Sequence, residues 1–342
     1  MKVKFLVTPV GLMMGNIESA RRLKNALSDQ GVLVTDDRHA EGYDLLHVHT
    51  PVPPSNMTEV KRARRKGVPV VIHAHTTAED SRGTWTGSTA LSGVTGMYLT
   101  HFYNLGSVVL APSAWTKSTL EKRGVKVPIE VLSNGIDLNR FKFDQERRQR
   151  FRARYGISDR AKVVYSIGVV CVKKGVEDFP KVARAFPDLT FVWVGRRSML
   201  YHPLRVRIAM MRSPGNARFL HDVEDIADAH SGCDIFFTPS FTENQGMAVM
   251  EAMAAGRPVV ARDLPSYSGL LENEKSALLC GDLDGFVSSI SRISQDQKLA
   301  ESLAGQGYPR LMEHDMGKVA GRLIAIYESL LQQRPKQEAT GA

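Results

Sequence analysis

The segment "DIFFTPSFTENQGMAVMEAMAAGRPVV" at residues 234–260 predicts a buried strand, a loop and a helix. The helix extends from about Gln245 to Ala255, where Gly256 ends it. The loop places Glu243 just before the helix, and the first amides of a helix have no acceptor within it. A strand that leads into open helix amides indicates an anion-binding site in an α/β protein.

Glu251 follows Glu243 by eight residues and lies inside the predicted helix beside Met250 and Met253. A carboxylate that is buried among apolar side chains needs a hydrogen-bond partner, and a ligand hydroxyl could be that partner. The alternative is that both glutamates form local caps or ion pairs. The two interpretations are not separated by the spacing alone.

Apolar strands alternate with helical patterns along the whole chain, which is typical of parallel sheets built from βαβ units. One of these helices is predicted at residues 17–31, where Gly31 ends it. The predicted strands lie near residues 3–8, 31–35, 44–49, 68–74, 107–111, 129–132, 162–167, 189–194, 217–220, 234–238, 258–262 and 277–280. The fold class is therefore α/β, with doubly wound Rossmann-like sheets.

The 342 residues are too many for one ordinary core and fit two domains. The apolar pattern breaks in a charged segment at 140–160, so we predict a first domain over residues 1–150 and a second over 151–309. Residues 310–342 should form a helix that packs back toward the first domain, followed by a polar tail. Two such domains would face an interdomain cleft at their carboxyl strand ends.

The formal net charge of +9 is confined to the first half of the chain. Residues 1–155 carry 23 Lys and Arg against 14 Asp and Glu, whereas residues 156–342 carry 22 of each kind. A basic half indicates an anionic partner surface, such as acidic lipid or nucleic acid. Aromatic residues do not alternate with the basic ones, and no nucleic-acid-binding motif is present, so we expect no nucleic-acid partner.

The cysteines Cys171, Cys233 and Cys280 are odd in number and lie in apolar runs, which indicates reduced core thiols. The apolar start of the chain is interrupted by Thr8 and Pro9, which favours a strand over a signal peptide. No stretch approaches the roughly 20 apolar residues that span a bilayer. We expect a cytoplasmic protein.

Four segments together resemble the retaining family-4 glycosyltransferases, which have the glycosyltransferase-B fold of two Rossmann-like domains. The first is the Glu-x7-Glu segment that begins at Glu243. The others, in the family's order and spacing, are "SNGIDLNRF" at 133–141, "SIGVVCVKKGVEDF" at 166–179 and "NARFLHDVEDIADAHSGCDIFFTPS" at 216–240. The resemblance spans nearly all of the second domain, which it identifies as the nucleotide-sugar-binding domain.

The resemblance assigns roles to individual residues of this chain. Glu243 would hold the donor sugar, Glu251 the ribose, and Lys174 would neutralise the leaving diphosphate. The amides of Asn244, Gln245, Gly246 and Met247 would join Glu243 at the donor sugar. A preplaced cation at a leaving group is worth about 3–4 kcal/mol, more than the roughly 0.3–2 kcal/mol of a helix N-terminus.

Two departures from the family pattern concern the phosphate contacts. Val169 stands where the family commonly has arginine, and Lys173 is the candidate to supply the missing charge. Only Gly15 remains of the usual glycine pair after the first strand, where the family's loop faces the diphosphate.

Within the family, the chain looks most like enzymes that glucosylate diacylglycerol-type lipids at the cytoplasmic membrane face. "HAHTTAEDSRGT" at 73–84 is similar to a stretch of those enzymes. The resemblance implies a UDP-sugar as donor substrate, no cofactor, a membrane lipid as acceptor, and a peripheral location at the inner face of the membrane. A same-fold enzyme that acts on a glycan or a small molecule is the alternative.

The first domain would face acceptor and membrane, and its candidate contacts are basic. "KRARRK" comprises Lys61, Arg62, Arg64, Arg65 and Lys66 around one alanine, on a predicted helix. Each basic residue near an anionic leaflet is worth roughly 1 kcal/mol. An ordinary solvated helix face is the other interpretation. "HPLRVRIAMMRSPG" at 202–215 could be a second amphipathic contact or a packed helix of the second domain.

Two His-x-His pairs end the third and fourth predicted strands, at His47 and His49 and at His73 and His75. Alternation along a strand puts each pair on one face, so a metal-dependent hydrolase is a rival hypothesis. A donor held by Lys174 and Glu243 needs no metal, and the family places a histidine like His75 at the reacting sugar and acceptor. We therefore predict His75 as catalytic and His73 as a weaker acceptor contact.

Two further alternatives complete the predictions. "GDLDGF" at 281–286 contains the Asp-x-Asp pattern of metal sites in another glycosyltransferase fold, but it follows a strand and should cap the next helix. A non-catalytic nucleotide-sugar-binding protein of the same fold would bind donor without turnover.

Overall fold

The computed structural model describes residues 1–8, 14–196, 203–221 and 223–333. They form two compact units. The first comprises residues 1–78, 93–135 and 316 onward, and the second comprises residues 79–92 and 136–315. Each unit has one parallel sheet of six strands.

The first unit is a doubly wound sheet with strand order β2-β1-β3-β4-β5-β6, every pair parallel. Its strands are β1 (Lys2–Leu6), β2 (Leu33–Thr35), β3 (Leu45–Val48), β4 (Val70–His73), β5 (Val108–Ala111) and β6 (Ile129–Val131). Its helices are α1 (Met14–Asp29), α2 (Ser55–Arg65), α4 (Ser92–Tyr103) and α5 (Ala114–Lys122), whereas α3 (Ala78–Ser81) belongs almost wholly to the second unit.

The second unit has strand order β12-β11-β10-β7-β8-β9, the order of the dinucleotide-binding fold. Its strands are β7 (Val163–Ile167), β8 (Thr190–Val194), β9 (Ala217–Leu220), β10 (Ile235–Thr238), β11 (Val259–Arg262) and β12 (Leu278–Cys280). Its helices are α6 (Leu138–Phe141), α7 (Gln145–Arg154), α8 (Phe179–Arg184), α9 (Leu204–Met211), α10 (Ile226–Gly232), α11 (Met247–Ala254), α12 (Leu283–Gln295) and α13 (Gln297–Gly307), and α14 (Met316–Gln332) returns to the first unit.

All twelve predicted strands are present, with bounds that differ by at most two residues. Both faces of each parallel sheet are covered, so the strand sequences are continuous apolar runs rich in Val, Ile and Leu. The helix that was predicted at 17–31 is α1, which begins earlier, at Met14. Asp282 caps α12 by accepting from the Gly285 amide at 2.8 Å, as expected for "GDLDGF". All three cysteines are buried and free, which confirms the prediction of core thiols.

The domain boundary predicted at residue 150 is wrong, because the second unit already includes residues 136–150. The charged segment also contains two aromatic residues, Phe141 and Phe151, which are buried in the core of the second unit. Arg152 is also buried there, where it donates to Asp234 at 2.9 Å. A boundary set by charge alone overlooks single aromatic anchors of this kind.

The last helix begins at Met316, later than the predicted residue 310. Residues 308–314 form 3₁₀ turns of the second unit instead. In the first unit α14 packs beside α1, and Leu323 and Tyr327 share a core cluster with Leu23 and Leu27. The polar tail from residue 334 onward lies outside the described residues.

Candidate functional site

The second unit has its topological switch point between β7 and β10, which are neighbours in the sheet but not in the chain. Ligands of open parallel sheets bind at the carboxyl strand ends at such a point. The segment after β7 contains the 3₁₀ turn Val172–Lys174, and the segment after β10 contains Glu243. The two predicted donor-site segments therefore meet where the topology favours a ligand.

Lys174 and Glu243 form an ion pair across this point, with 2.5 Å between Nζ and Oε1. Their side chains are 21% and 12% exposed, so the pair is mostly shielded from water. Burial alone raises the pKa of Glu243, but the Lys174 ammonium outweighs it and holds the pKa below the ordinary value. Glu243 is thus a carboxylate at neutral pH, and it keeps a cation fixed at the carboxyl end of β7.

The turn that carries Lys174 depends on Gly175. This glycine is left-handed with φ 72°, and a Cβ there would lie 2.2 Å from the Pro239 carbonyl oxygen. The Phe241 amide then donates to the Lys173 carbonyl at 2.7 Å, which ties the two segments together. Lys174 and Glu243 are consequently held by the backbone as well as by their own charges.

Lys173, the predicted second phosphate cation, forms an ion pair with Asp80. Its Nζ donates to Asp80 Oδ1 at 2.8 Å and to the Asp80 carbonyl at 3.0 Å, and its amide donates to the Gly83 carbonyl at 3.2 Å. Burial disfavours the ammonium, but Asp80 outweighs burial and raises the pKa of Lys173. Lys173 thus anchors residues 79–92 within the second unit, and its role at the phosphates, in place of the arginine that the family commonly has at Val169, stays a prediction.

A loop leads from Glu243 to the next helix, as predicted, but the helix begins later than predicted. Gly246 is left-handed with φ 86°, and a Cβ there would lie 2.5 Å from the Tyr267 ring. The helix α11 therefore begins at Met247, two residues after the predicted start. Asn244 and Gln245, which belong to this loop, are buried. The first amides of α11 have no acceptor of their own helix, as an anion site requires.

Glu251 is buried inside α11 and has a protein partner, His230, whose Nε2 lies 3.4 Å from Oε2. His230 Nδ1 in turn lies 2.8 Å from the Tyr165 hydroxyl. Burial lowers the pKa of His230, although Glu251 acts in the opposite direction. The neutral ring with its proton on Nε2 donates to Glu251 and accepts from Tyr165, which orients the carboxylate. The sequence reasoning missed both partners.

All four predicted histidines lie on one face of the first sheet and are buried. His47 Nδ1 lies 2.5 Å from the Tyr327 hydroxyl of α14, and His49 Nδ1 lies 3.1 Å from His75 Nε2. The rings of His73 and His75 stack with centroids 4.0 Å apart. His73 ends β4, and His75 follows the strand, at its carboxyl end.

Three of these histidines bring ligand atoms close enough to suggest a metal. The donor nitrogens of His47, His49 and His73 lie within 4.8 Å of one another. However, the ring planes of His47 and His73 are nearly parallel, at 7°, whereas His49 is tilted by 28° to His47 and by 34° to His73. Imidazole lone pairs lie in the ring plane, so the parallel rings of His47 and His73 do not direct them at a shared point. The geometry favours a stacked polar cluster over a metal centre.

Burial controls the protonation of this cluster. Burial, followed by mutual repulsion, places the pKa values of His47, His49 and His73 well below the ordinary value of a histidine. For His75, burial lowers the pKa to about 4. All four rings are neutral at neutral pH, so His75 can accept or donate a hydrogen bond but carries no charge.

The basic residues of "KRARRK" lie on a helix, as predicted. Lys61, Arg62, Arg64 and Arg65 are exposed at the end of α2, and Lys66 caps it. Val60 and Ala63 are buried beneath them and hold the helix on the sheet. Arg62 pairs with Glu41 at 2.6 Å, and Arg64 donates to the Leu105 carbonyl at 3.1 Å. The helix presents a dense positive face to solvent.

Gly15, the remaining glycine of the predicted phosphate loop, lies in the first turn of α1. The loop before it, residues 9–13, lies outside the described residues. Among the helices that the structure describes, none combines the length and apolarity needed to cross a bilayer.

Two family models match the chain, one in each half. Residues 18–140 match the model described as Glycosyltransferase Family 4, and residues 162–296 match the one described as Glycosyl transferases group 1. With two Rossmann-like sheets, these matches define a glycosyltransferase of the glycosyltransferase-B type. Both halves of the chain therefore match glycosyltransferase families, which confirms the resemblance found in the sequence.

Curated relatives match over most of their length. The processive diacylglycerol alpha-glucosyltransferase of Acholeplasma laidlawii is 29% identical over 311 residues, 90% of this chain and 91% of the relative. The alpha-galactosylglucosyldiacylglycerol synthase of Streptococcus pneumoniae is 27% identical and covers 76% of this chain and 70% of its own. The phosphatidyl-myo-inositol mannosyltransferase of Mycolicibacterium smegmatis is 27% identical, and the match covers 89% of this chain and 76% of the relative. Each of these names contains a glycerolipid.

Solved structures of low identity share the fold. Anabaena HepE, solved in complex with UDP and glucose, superimposes with a TM-score of 0.76 at 18% identity, over 96% of this chain and all of its own. Sucrose-phosphate synthase from Thermosynechococcus elongatus superimposes with a TM-score of 0.78 at 17% identity, over 97% of this chain and 99% of the synthase chain. These likenesses confirm the glycosyltransferase-B fold.

Proposed function

We propose that this protein is a retaining, metal-independent hexosyltransferase that moves a sugar, glucose in the first instance, from a UDP-sugar to a membrane lipid such as diacylglycerol. The observation that carries the proposal is the partly buried Lys174–Glu243 ion pair at the β7–β10 switch point. The names of the curated relatives support the acceptor class, and the ligands of Anabaena HepE support the donor class.

The chemistry of transfer explains why these side chains suit the site. The bond between the anomeric carbon and the diphosphate oxygen breaks, the acceptor hydroxyl oxygen forms the new bond to that carbon, and the hydroxyl proton passes to the departing diphosphate. Negative charge develops on the departing UDP, where the fixed Lys174 ammonium and the α11 amides would stabilise it. Because a fixed cation supplies the charge that a divalent ion supplies elsewhere, the proposal includes no metal and no cofactor.

Glu243 and Glu251 would hold the two sugar rings of the donor. Glu243 is ionised and lies beside the amides of α11, so it would accept from hydroxyls of the transferred sugar. Glu251, oriented by His230, would accept from the ribose hydroxyls. His75, neutral and at the carboxyl end of β4, would bond to the acceptor hydroxyl or the reacting sugar.

A lipid acceptor requires contact with a membrane, and α2 supplies a positive surface. Its five basic residues would bind an anionic leaflet, at roughly 1 kcal/mol each. The proposed location is peripheral, at the inner face of the cell membrane. The attraction should weaken as salt is added, because the charges are exposed.

A donor screen with mass analysis of the lipid product tests this function. The purified protein is incubated with UDP-glucose and then other UDP-sugars, in diacylglycerol vesicles with and without phosphatidylglycerol. We expect a monohexosyl lipid and equimolar UDP, with more product on anionic vesicles. UDP release only when a glycan replaces the lipid would assign a different acceptor. If no donor gives product or UDP, the proposal is wrong.

A further inference from the structure

The helix α9 of the second unit exposes an apolar stripe to solvent. Leu204, Ile208 and Met211 are 69%, 38% and 85% exposed. Their spacing of i, i+4 and i+7 places them on one side of the helix. Val206 lies on the opposite side and is fully buried, which holds the helix against the second core. The orientation of α9 is therefore fixed, with its apolar stripe pointing outward.

Arginines border the stripe on both sides. At roughly 100° per residue, Arg207 projects on one side of the stripe, and Arg205 and Arg212 project on the other. All three arginines are exposed. Arg205 forms an ion pair with Glu177, with 3.4 Å between Nε and Oε2, and its side chain stays 61% exposed. Arg184 donates to the Arg212 carbonyl at 2.6 Å and adds a further cation at the end of the helix. Long cationic side chains can bind lipid phosphates with their charged ends while their methylene stems lie along apolar surface.

Two features of α9 select a lipid surface as its partner. Like charges on both sides of the stripe disfavour pairing with a second copy of the chain. A stripe of three side chains is also far smaller than the roughly 800 Å² per partner of a stable protein interface. An anionic bilayer offers phosphates to the arginines and an acyl boundary to the apolar side chains.

We propose that α9 is a membrane-binding element of the donor-binding unit, which inserts Leu204, Ile208 and Met211 at the headgroup–acyl boundary of an anionic bilayer. The inference rests on the proposed lipid acceptor and adds a contact that is separate from α2. The first unit would then contact the membrane through the basic residues of α2. The second unit would contact it through the arginines and the apolar stripe of α9.

Insertion can be measured at Met211 directly. The variant Met211→Cys is labelled with an environment-sensitive fluorophore, since Cys171, Cys233 and Cys280 are buried. Phosphatidylcholine vesicles with phosphatidylglycerol should shift its emission to the blue, and brominated acyl chains should quench it. The label at Lys298→Cys, an exposed position of α13 beyond β12 at the opposite edge of the sheet from β9, should not respond. An unchanged emission at Met211 on vesicles that bind the protein would overturn the inference.

Vesicle binding gives an independent measurement. The triple variant Leu204→Ser, Ile208→Ser and Met211→Ser should bind anionic vesicles at least tenfold more weakly, and Arg205→Gln with Arg207→Gln should reduce the preference for anionic lipid. A control that removes exposed apolar groups elsewhere, Leu33→Ser with Met312→Ser, should bind as the parent does. Equal binding by the α9 variant, or self-association through α9 in place of vesicle binding, would contradict the proposal.

Activity in neutral detergent micelles separates this inference from the proposed function. The α9 serine variant should transfer sugar to diacylglycerol in micelles at the parental rate, which also shows that it is folded. Transfer in micelles with a Met211 label that stays in water would defeat the membrane role of α9 alone. A label that inserts without any transfer would defeat the proposed function alone.

Discussion

The Lys173 ammonium lies 2.8 Å from Asp80 Oδ1, although the two residues are 93 positions apart in the chain. This pair joins residues 79–92 to the second unit, beside the turn that carries Lys174. Both side chains are only 14% exposed. The pair therefore holds the segment that follows the His75 loop against the segment that follows β7.

Asp80→Asn should destabilise the second unit by about 3 kcal/mol, because it leaves the Lys173 ammonium buried without its carboxylate. The free energy of urea unfolding measures the loss. Lys173→Met in addition should recover part of it, since the uncompensated charge is then removed. The exposed Asp188→Asn is the control. Equal stability of Asp80→Asn and the parent would show that the pair is structurally unimportant.

Lys174→Ala should lower kcat/KM for the donor by about 10²–10³, since a preplaced charge at the leaving group is lost. Glu243→Gln should also lower it strongly, because the cation then loses its anchor. Circular dichroism checks that both variants are folded, and the exposed Lys298→Ala serves as the control. Near-parental turnover in both site variants would refute the assignment.

Gly175→Ala should unfold more easily than Gly256→Ala. Both glycines are left-handed, with φ of 72° and 66°, so both substitutions carry a backbone penalty of about 1 kcal/mol. Only at Gly175 would the added Cβ also collide with a carbonyl oxygen, at 2.2 Å, whereas Gly256 has open space. Thermal unfolding of the two variants compares them, and similar midpoints would argue against a locked turn.

The first unit should lose stability in mild acid. The pKa of His75 is lowered to about 4 and those of His47, His49 and His73 lie well below 6.5, so the unfolded chain binds protons that the folded chain does not. Stability is therefore full above pH 6.5 and falls as the pH drops toward 4. Each histidine contributes up to about 1.4 kcal/mol per pH unit.

Urea unfolding between pH 7 and pH 4.5 measures this dependence. His47→Gln keeps a hydrogen-bonding group for Tyr327 and should flatten the pH slope. The exposed His101→Gln should leave the slope unchanged. A parental pH slope in His47→Gln would mean that the buried rings do not cause the acid sensitivity.

The strands and the donor segments were predictable because their signals are local. Runs such as Val163–Ile167 report burial in a parallel sheet, and Gly246 and Gly256 bracket α11. The partners of the charged residues were not predictable. Asp80 beside Lys173 and His230 beside Glu251 depend on the packing of distant segments.

The histidines illustrate the same limit. Alternation predicts that His47 and His49 share a face, and likewise His73 and His75. The stacking of the two pairs depends on the register of β3 against β4, in which His47 lies opposite Val71. Spacing alone therefore could not exclude a metal site, and the parallel rings of His47 and His73 argue against one.

The anomeric configuration of the product tests the central claim most directly. The protein is given UDP-glucose and diacylglycerol with a chelator present, and the glucosyl lipid is examined by NMR. We expect an α-linked product from the parent and a strongly reduced yield from Lys174→Ala. A β-linked product, a strict requirement for added metal, or parental yield from Lys174→Ala would contradict a retaining transfer assisted by this lysine.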